Sequence, residues 1–432
     1  MAYNRKQRLN DNIKAIETAF ILDREQRTPT ARERLLLERY CGFGGLKCIL
    51  NPARELADAV HWAKSDLELF APTVELHRLI RENSKNESEY KQLMDSLKQS
   101  VLTAFYTPSA VTEALTDVLK EHQIIPEKVL EPSAGIGAFV DSVLDNNPKA
   151  DIMAFEKDLL TGKILRHLHP EQKVRIEGFE KIEKPFNDYF DLAISNIPFG
   201  DVAVFDPSYT AMKGMRALVT RRIHNYFFVK ALDTVRDGGL VAFITSQGVL
   251  NAKNNSAARF MMLYHADLVS AIRLPNNLFT ENANTEVGSD LIILQKNTQK
   301  ESLRGDDNLL DTVYNDENRI PTNNYFLEHP ERIIHTTAKL DTDPFGKPAM
   351  IYTHEDGVEG IAEDLRKMLH EDFKKNLNLN RYLGIEETKA EEVKEVEETE
   401  KIEKTEKMKP SIEEKQSDTV VSLQKQEKPT DD

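Results

Sequence analysis

Two short segments about sixty residues apart each close an apolar, strand-like run, and they sharply restrict how this chain can fold. The first reads Val129-Leu130-Glu131-Pro132-Ser133-Ala134-Gly135-Ile136-Gly137-Ala138-Phe139, and the second reads Phe190-Asp191-Leu192-Ala193-Ile194-Ser195-Asn196-Ile197-Pro198-Phe199-Gly200. In the first, the aliphatic run Lys128 to Leu130 passes through a turn of small residues into Phe139 to Leu144, whose apolar residues have helical spacing. Further strand candidates follow: Ala150 to Phe155 ending at Glu156, Lys173 to Ile176 ending at Gly178-Phe179-Glu180, and Leu192 to Ile194 ending at Asn196. Strands alternating with helices over 101–300 predict an α/β fold with a mainly parallel sheet covered on both faces.

The strand ends carry the chemistry. Gly135 and Gly137 tolerate positive φ and leave no Cβ in the way of a ligand. A turn feeding a helix also offers unpaired N–H groups to polar atoms. Glu131, at the end of its strand, is placed to accept from an ammonium group. Glu156 follows Gly137 by 19 residues, the interval at which a carboxylate after a glycine-rich turn meets vicinal ribose hydroxyls. Glu180 is placed to accept from the amino group of an adenine ring, with Phe179 beside that ring. The plain alternatives are a tight turn that binds nothing and ordinary solvated charges at strand ends.

The second segment is the more specific. An exocyclic aromatic amine is a poor nucleophile because its lone pair is delocalised into the ring. The Asn196 carboxamide oxygen and the Ile197 carbonyl, both accepting its hydrogens, would favour a more tetrahedral nitrogen. Pro198 shapes the turn, and Phe199 can stack on an extruded base. The plain alternative is a strand-to-turn corner in which Asn196 caps and Phe199 packs in the core.

Through these residues the chain resembles the adenine-N6 DNA methyltransferases in which the cofactor motif precedes the catalytic one. In that family a D/E-P-x-x-G-x-G-x-F segment binds S-adenosylmethionine and an N-P-P-Y/F/W tetrapeptide acts on the amino group; here the latter stands as Asn196-Ile197-Pro198-Phe199. Ile197 replaces the usual first proline, and its carbonyl keeps the acceptor. The resemblance implies a Rossmann-like methyltransferase domain with a mainly parallel seven-stranded sheet. It assigns S-adenosylmethionine to Tyr106, Thr107, Pro108, Glu131, Pro132, Ser133, Gly135, Gly137, Phe139, Glu156, Phe179, Glu180 and Asn196. Tyr106-Thr107-Pro108 is similar to an element that closes over the cofactor's methionine end. The order continues through a helix at His224 to Leu232 ending at Asp237-Gly238-Gly239, a strand Leu240 to Thr245, and late strands at 271–275 and 291–295. Thr285 to Asp290 is also similar to this group. Tyr40 to Lys47 resembles the lead-in of methylases carried by conjugative elements and plasmids.

Composition bounds the rest. The 432 residues divide into a helical N-terminal region (1–100), the methyltransferase-like domain (101–300), a small mixed region (301–385) and a tail from Glu386. The tail is rich in Glu, Lys and Thr, too polar to bury a core, and is expected to be disordered. A net charge of −15 does not suggest a DNA binder, but a local patch matters more. Lys213, Arg216, Arg221 and Arg222, just after the catalytic corner, are the candidates to neutralise phosphates. Two cysteines, Cys41 and Cys48, are too few for a disulfide framework, and nothing has metal-ligand spacing. No apolar run approaches a membrane span and no secretory signal is present, which points to the cytoplasm.

Three functions remain open. The first is methyl transfer to adenine in flipped-out DNA. The second is methylation of cytosine or of a protein glutamine amide, both planar nitrogens. The third is a non-catalytic DNA-binding or antirestriction module on the same fold.

Overall fold

The central strands form where the sequence predicts them because most of them are aliphatic runs closed by turn residues. The computed structural model describes residues 4–103, 106–212, 214–280, 286–303, 307–314, 319–343 and 346–385. Lys213, Thr285, the Ala104-Phe105 pair and the tail from Glu386 lie outside the described residues. A seven-stranded sheet is built from β1 (Lys128–Glu131), β2 (Asp151–Phe155), β3 (Lys173–Arg175), β4 (Phe190–Asn196), β5 (Val235–Ser246), β6 (Ala266–Leu274) and β7 (Ser289–Lys296). Its order is β3-β2-β1-β4-β5-β7-β6. The first five strands run parallel, and β7 is antiparallel to both β5 and β6. The order of strands therefore reverses on either side of β1, and β1 and β4 end side by side. Ligands in open α/β sheets bind at such a switch point, outside the carboxyl ends of the strands.

The N-terminal part is helical: α1 (Arg5–Glu25), α2 (Ala31–Leu37), α3 (Phe70–Glu82) and α4 (Glu87–Thr103). Around the sheet lie α5 (Ser109–Glu121), α6 (Ala138–Asn146), α7 (Leu159–Leu168), two short helices α8 (Pro207–Thr210) and α9 (Met215–Val219), and α10 (Ile223–Thr234). One sheet face packs under α5, α6 and a late helix, Gly357–Asn376, which contributes Ile361, Leu365, Leu369 and Phe373. The other face packs under α10 and the helix Ser256–His265. Leu160, Ile164 and Leu168 of α7 share a third core with α1, α3 and α4. Within 301–385, two small hairpins (Thr312–Tyr314 with Pro321–Asn323, and Thr337–Thr342 with Pro348–Thr353) precede the late helix. The residues up to Gly384 form one compact unit.

One boundary differs from the sequence reading. The α10 helix stops at Thr234, and Asp237-Gly238-Gly239 lies inside β5. The β4–β5 register shifts there, between Phe190 and Leu192. Gly238 sits at φ +76°, and a Cβ on it would meet the Arg381 carbonyl oxygen at 2.2 Å. The glycine pair is a strand irregularity that admits the C-terminal segment, not a helix stop.

Candidate active site

β1 and β4 end next to one another, so the two segments singled out in the sequence border the same space. A cavity of about 970 Å³ opens over the strand ends. Its walls include Tyr106, Thr107, Pro132, Ser133, Gly135 and Phe139 around the glycine turn. Glu156, Phe179 and Glu180 come from the ends of β2 and β3, and Asn196, Ile197, Pro198 and Phe199 from the end of β4.

The glycine turn is held by the acid that closes β2. The Gly135 N–H donates to Glu156 Oε2 at 2.8 Å, and the Asp158 N–H donates to Oε1 at 2.7 Å. Burial, reinforced by the Asp158 charge, pushes the Glu156 carboxyl up to about 8. Both glycines have positive φ, +56° at Gly135 and +94° at Gly137. The space their missing Cβ atoms leave is taken by protein: the Tyr106 ring lies 2.9 Å from the Cβ position of Gly135, and His169 Nε2 lies 2.6 Å from that of Gly137. Gly137 does not line the cavity, and its glycine answers to packing between α6 and α7.

Glu131 also sits outside the cavity lining, buried beneath the turn. Neither of its carboxylate oxygens makes a well-formed hydrogen bond. The Ser195 hydroxyl and Ser133 amide lie close enough only to ease its charge, so burial dominates and raises its pKa well above the usual carboxylate range. Pro108 likewise stands off the cavity, as the N-cap of α5. Thr107 lines it with a buried hydroxyl oxygen that has no hydrogen-bond partner among the described residues.

At the catalytic corner, Asn196 is the last residue of β4 and lies opposite Ile244 of β5. The Ile197 N–H extends that ladder by donating to the Ile244 carbonyl at 3.0 Å. Phe199 meets Phe279 edge to face, ring centres 6.3 Å apart. Its ring therefore forms part of the wall rather than swinging free.

The basic patch is largely committed elsewhere. Arg216 forks onto Asp233 at 2.6 and 2.9 Å. Arg222 bonds Asn254 and Asn255 and pairs with Asp201 at 3.1 Å. Arg221 remains exposed, while Lys213 lies outside the described residues. In this structure the guanidinium of Arg216 is shared with a carboxylate, and that of Arg222 with a carboxylate and two side-chain amides, so a phosphate would have to compete with those partners.

A wall absent from the sequence reading comes from α4. Gln92, Asp95, Ser96 and Gln99, at helical spacing on one face, line the cavity, while Leu93, Leu97 and Val101 on the other face join the N-terminal core. Ser96 docks this helix: its hydroxyl donates to Asp158 Oδ2 at 2.8 Å and accepts from the Leu160 N–H at 3.0 Å. The lead-in Tyr40 to Lys47 has a structural role as well. Tyr40 and Tyr106 hydroxyls both lie within hydrogen-bond reach of Thr161 Oγ1, at 3.2 and 3.4 Å, which braces the cavity wall.

The lining carries the acids Asp95, Asp158, Glu177 and Glu180, with Glu156 largely protonated near neutral pH, against the lysines Lys157 and Lys181. That balance favours a cationic ligand over an anionic one. The volume, the Thr107 hydroxyl without a partner among the described residues and the acid-rich wall fit S-adenosylmethionine, whose sulfonium and ammonium outweigh its single carboxylate. Among the described residues no group of three or more His, Cys, Asp or Glu could hold a metal ion, and no helix is long and apolar enough to cross a membrane.

A sequence model of the N-6 DNA Methylase family matches residues 88–391. The chain belongs to this family. Two curated relatives are similar over part of this chain. "Defense against restriction protein B" of Escherichia phage P1 is 29% identical over 201 residues, 45% of this chain and 8% of that protein. "Type II methyltransferase M.XamI" of Xanthomonas campestris pv. amaranthicola is 25% identical over 173 residues, 37% of this chain and 33% of that protein. The aligned part thus spans a third or less of each relative's length. Among solved structures, the methyltransferase subunit of a type I restriction-modification system from Streptococcus thermophilus aligns with a TM-score of 0.39 at 12% identity, covering 87% of this chain and 94% of that one.

Proposed function

We propose that this protein is an S-adenosylmethionine-dependent DNA methyltransferase acting on the exocyclic amino group of adenine. The observation that carries the reading is the shared cavity: the glycine turn and the Asn196 to Phe199 corner line the same space. Bound there, the cofactor would supply an electrophilic methyl group on a sulfonium. Glu156 would accept from the ribose hydroxyls, Glu180 from the adenine amino group, and Phe179 would flank that ring. Asn196 and the Ile197 carbonyl would accept the two hydrogens of the target amine, aligning its lone pair. Phe199, braced by Phe279, would stack on a base flipped out of the duplex. The domain division at 100, 300 and 385 is part of the same proposal, with α4 as the N-terminal contribution to the site.

The test incubates the protein with cofactor labelled in its methyl group and with unmethylated DNA. The expected product is DNA whose digest carries label on N6-methyladenine. Label on cytosine, or on glutamine of an added protein, would redirect the assignment. Cofactor that binds while DNA stays unlabelled would refute catalysis on DNA.

A second reading is favoured by one specific finding, the relative named for defence against restriction. On it, the protein shields DNA from restriction without methylating it. Protection that survives Asn196→Ala would support this reading over the first.

A further inference from the structure

The segment that follows the catalytic corner contains an aromatic side chain whose exposure the fold does not explain. Phe205 is 77% exposed, and Val202 three residues earlier is 60% exposed, yet both border the cavity. Phe199, by contrast, is tied to Phe279 inside the wall. The backbone on either side of Phe205 is anchored. The Val204 N–H donates to the Thr220 carbonyl at 2.8 Å. Buried Asp206 accepts from the Ser208 N–H (2.8 Å) and hydroxyl (2.6 Å), the Tyr226 hydroxyl (2.6 Å) and the Lys230 ammonium (3.3 Å). Tyr226 and Lys230 belong to α10, so Phe205 is mounted on a helix of the fold. A large apolar ring held out in water by a buried carboxylate and its four donors contributes nothing to the protein's own core.

We propose that Phe205, with Val202 beside it, is a wedge that enters the DNA stack when the target base leaves it. The inference rests on the DNA methyltransferase reading and adds the element that opens the duplex. Removing a base from the stack leaves a gap whose neighbours lose their stacking partner. An apolar ring inserted there offsets part of that loss. Phe205 is well placed to do so, at the rim of the cavity that would receive the extruded base, while Phe199 already supplies the platform inside. A nucleobase face fits the ring better than phosphate does, because a bare phenyl offers neither charge nor donor.

The experiment compares wild type and Phe205→Ala on two duplexes carrying the methylation site, which is first read from the positions of label on native DNA. One duplex pairs the target base normally, and the other places a mismatch opposite it, so the base is already loosened. Cofactor affinity of both proteins is measured alongside as a check on the fold; Phe205 is largely exposed, so it is expected to be unchanged. On the paired duplex, Phe205→Ala is expected to lose roughly tenfold or more in methylation rate, and the mismatch is expected to restore most of it. Equal loss on both duplexes, or no loss on either, would overturn the wedge. A wild type that labels no DNA at all would instead overturn the reading beneath it.

Discussion

The Gly135 amide donates to the Glu156 carboxylate across 2.8 Å, tying the turn after β1 to the acid that closes β2. One carboxylate therefore both shapes the glycine turn and faces the cavity, and its protonation is coupled to what the cavity holds.

Glu156 sits near 8 in the free protein because of burial and the Asp158 charge. Below that pH it carries a proton. A bound cation favours the carboxylate and so lowers its pKa, which means that binding releases a proton. S-adenosylmethionine affinity is expected to rise as pH climbs from about 6 to about 8, by at most about tenfold per unit. Calorimetric titration in buffers of different ionisation heat measures both the affinity and the proton. Glu156→Gln should flatten the dependence and weaken binding by about tenfold.

Asn196 ends β4 and lines the cavity. Asn196→Ala is expected to lower methyl transfer to DNA by roughly 100- to 1000-fold, the size seen when one preorganised polar contact is lost. Cofactor affinity should stay within about threefold, since the proposed cofactor partners Glu156, Phe179 and Glu180 follow β2 and β3. A comparable drop in both quantities would move Asn196 from the reacting centre to cofactor binding.

Gly137 is a packing glycine in this fold. Gly137→Ala places a methyl group 2.6 Å from His169 Nε2 at a φ of +94°. The expected loss of stability is about 2–4 kcal/mol by denaturant unfolding. Adding His169→Ala should recover part of the steric loss, leaving the Leu165 Cδ1 contact at 2.9 Å and a backbone strain of about 1–2 kcal/mol.

Ile197 stands where the family usually has proline, and its N–H is in use. Ile197→Pro removes the bond to the Ile244 carbonyl, and a loss of about 1–2 kcal/mol is expected as a lower melting temperature. Methyl transfer should not increase. A faster enzyme would show that rigidity at this corner outweighs the β4–β5 ladder.

The sheet and most of the cavity floor could be read from the sequence because their signals are local. A strand of four to seven residues, a turn of small residues and the acid at the next strand end each lie within a short window, so Gly135, Glu156 and Asn196 could be placed. What escaped was set by partners distant in the chain. Arg216 stands out as part of a basic run, and nothing in its window reveals Asp233, onto which its guanidinium forks. Glu131 looked ligand-facing because a strand end does not say which side is buried. Gly137 read as ligand clearance, and only the folded arrangement brings His169 into that space. The α4 wall had a signal, polar residues at 92, 95, 96 and 99, but such a stripe reads as an ordinary solvated helix until a cavity is found opposite it.

That stripe bears on how the chain can be dissected. A fragment cut at the start of the sheet-forming region would keep the glycine turn and the Asn196 corner, yet it would lose Ser96 from Asp158 and Tyr40 from Thr161. Its acid-lined trough would lie unroofed, with α7 stripped of the apolar neighbours that now cover Leu160, Ile164 and Leu168. The helical leader is therefore a working part of the vessel, and shortening the protein to its recognisable motifs would yield an open dish.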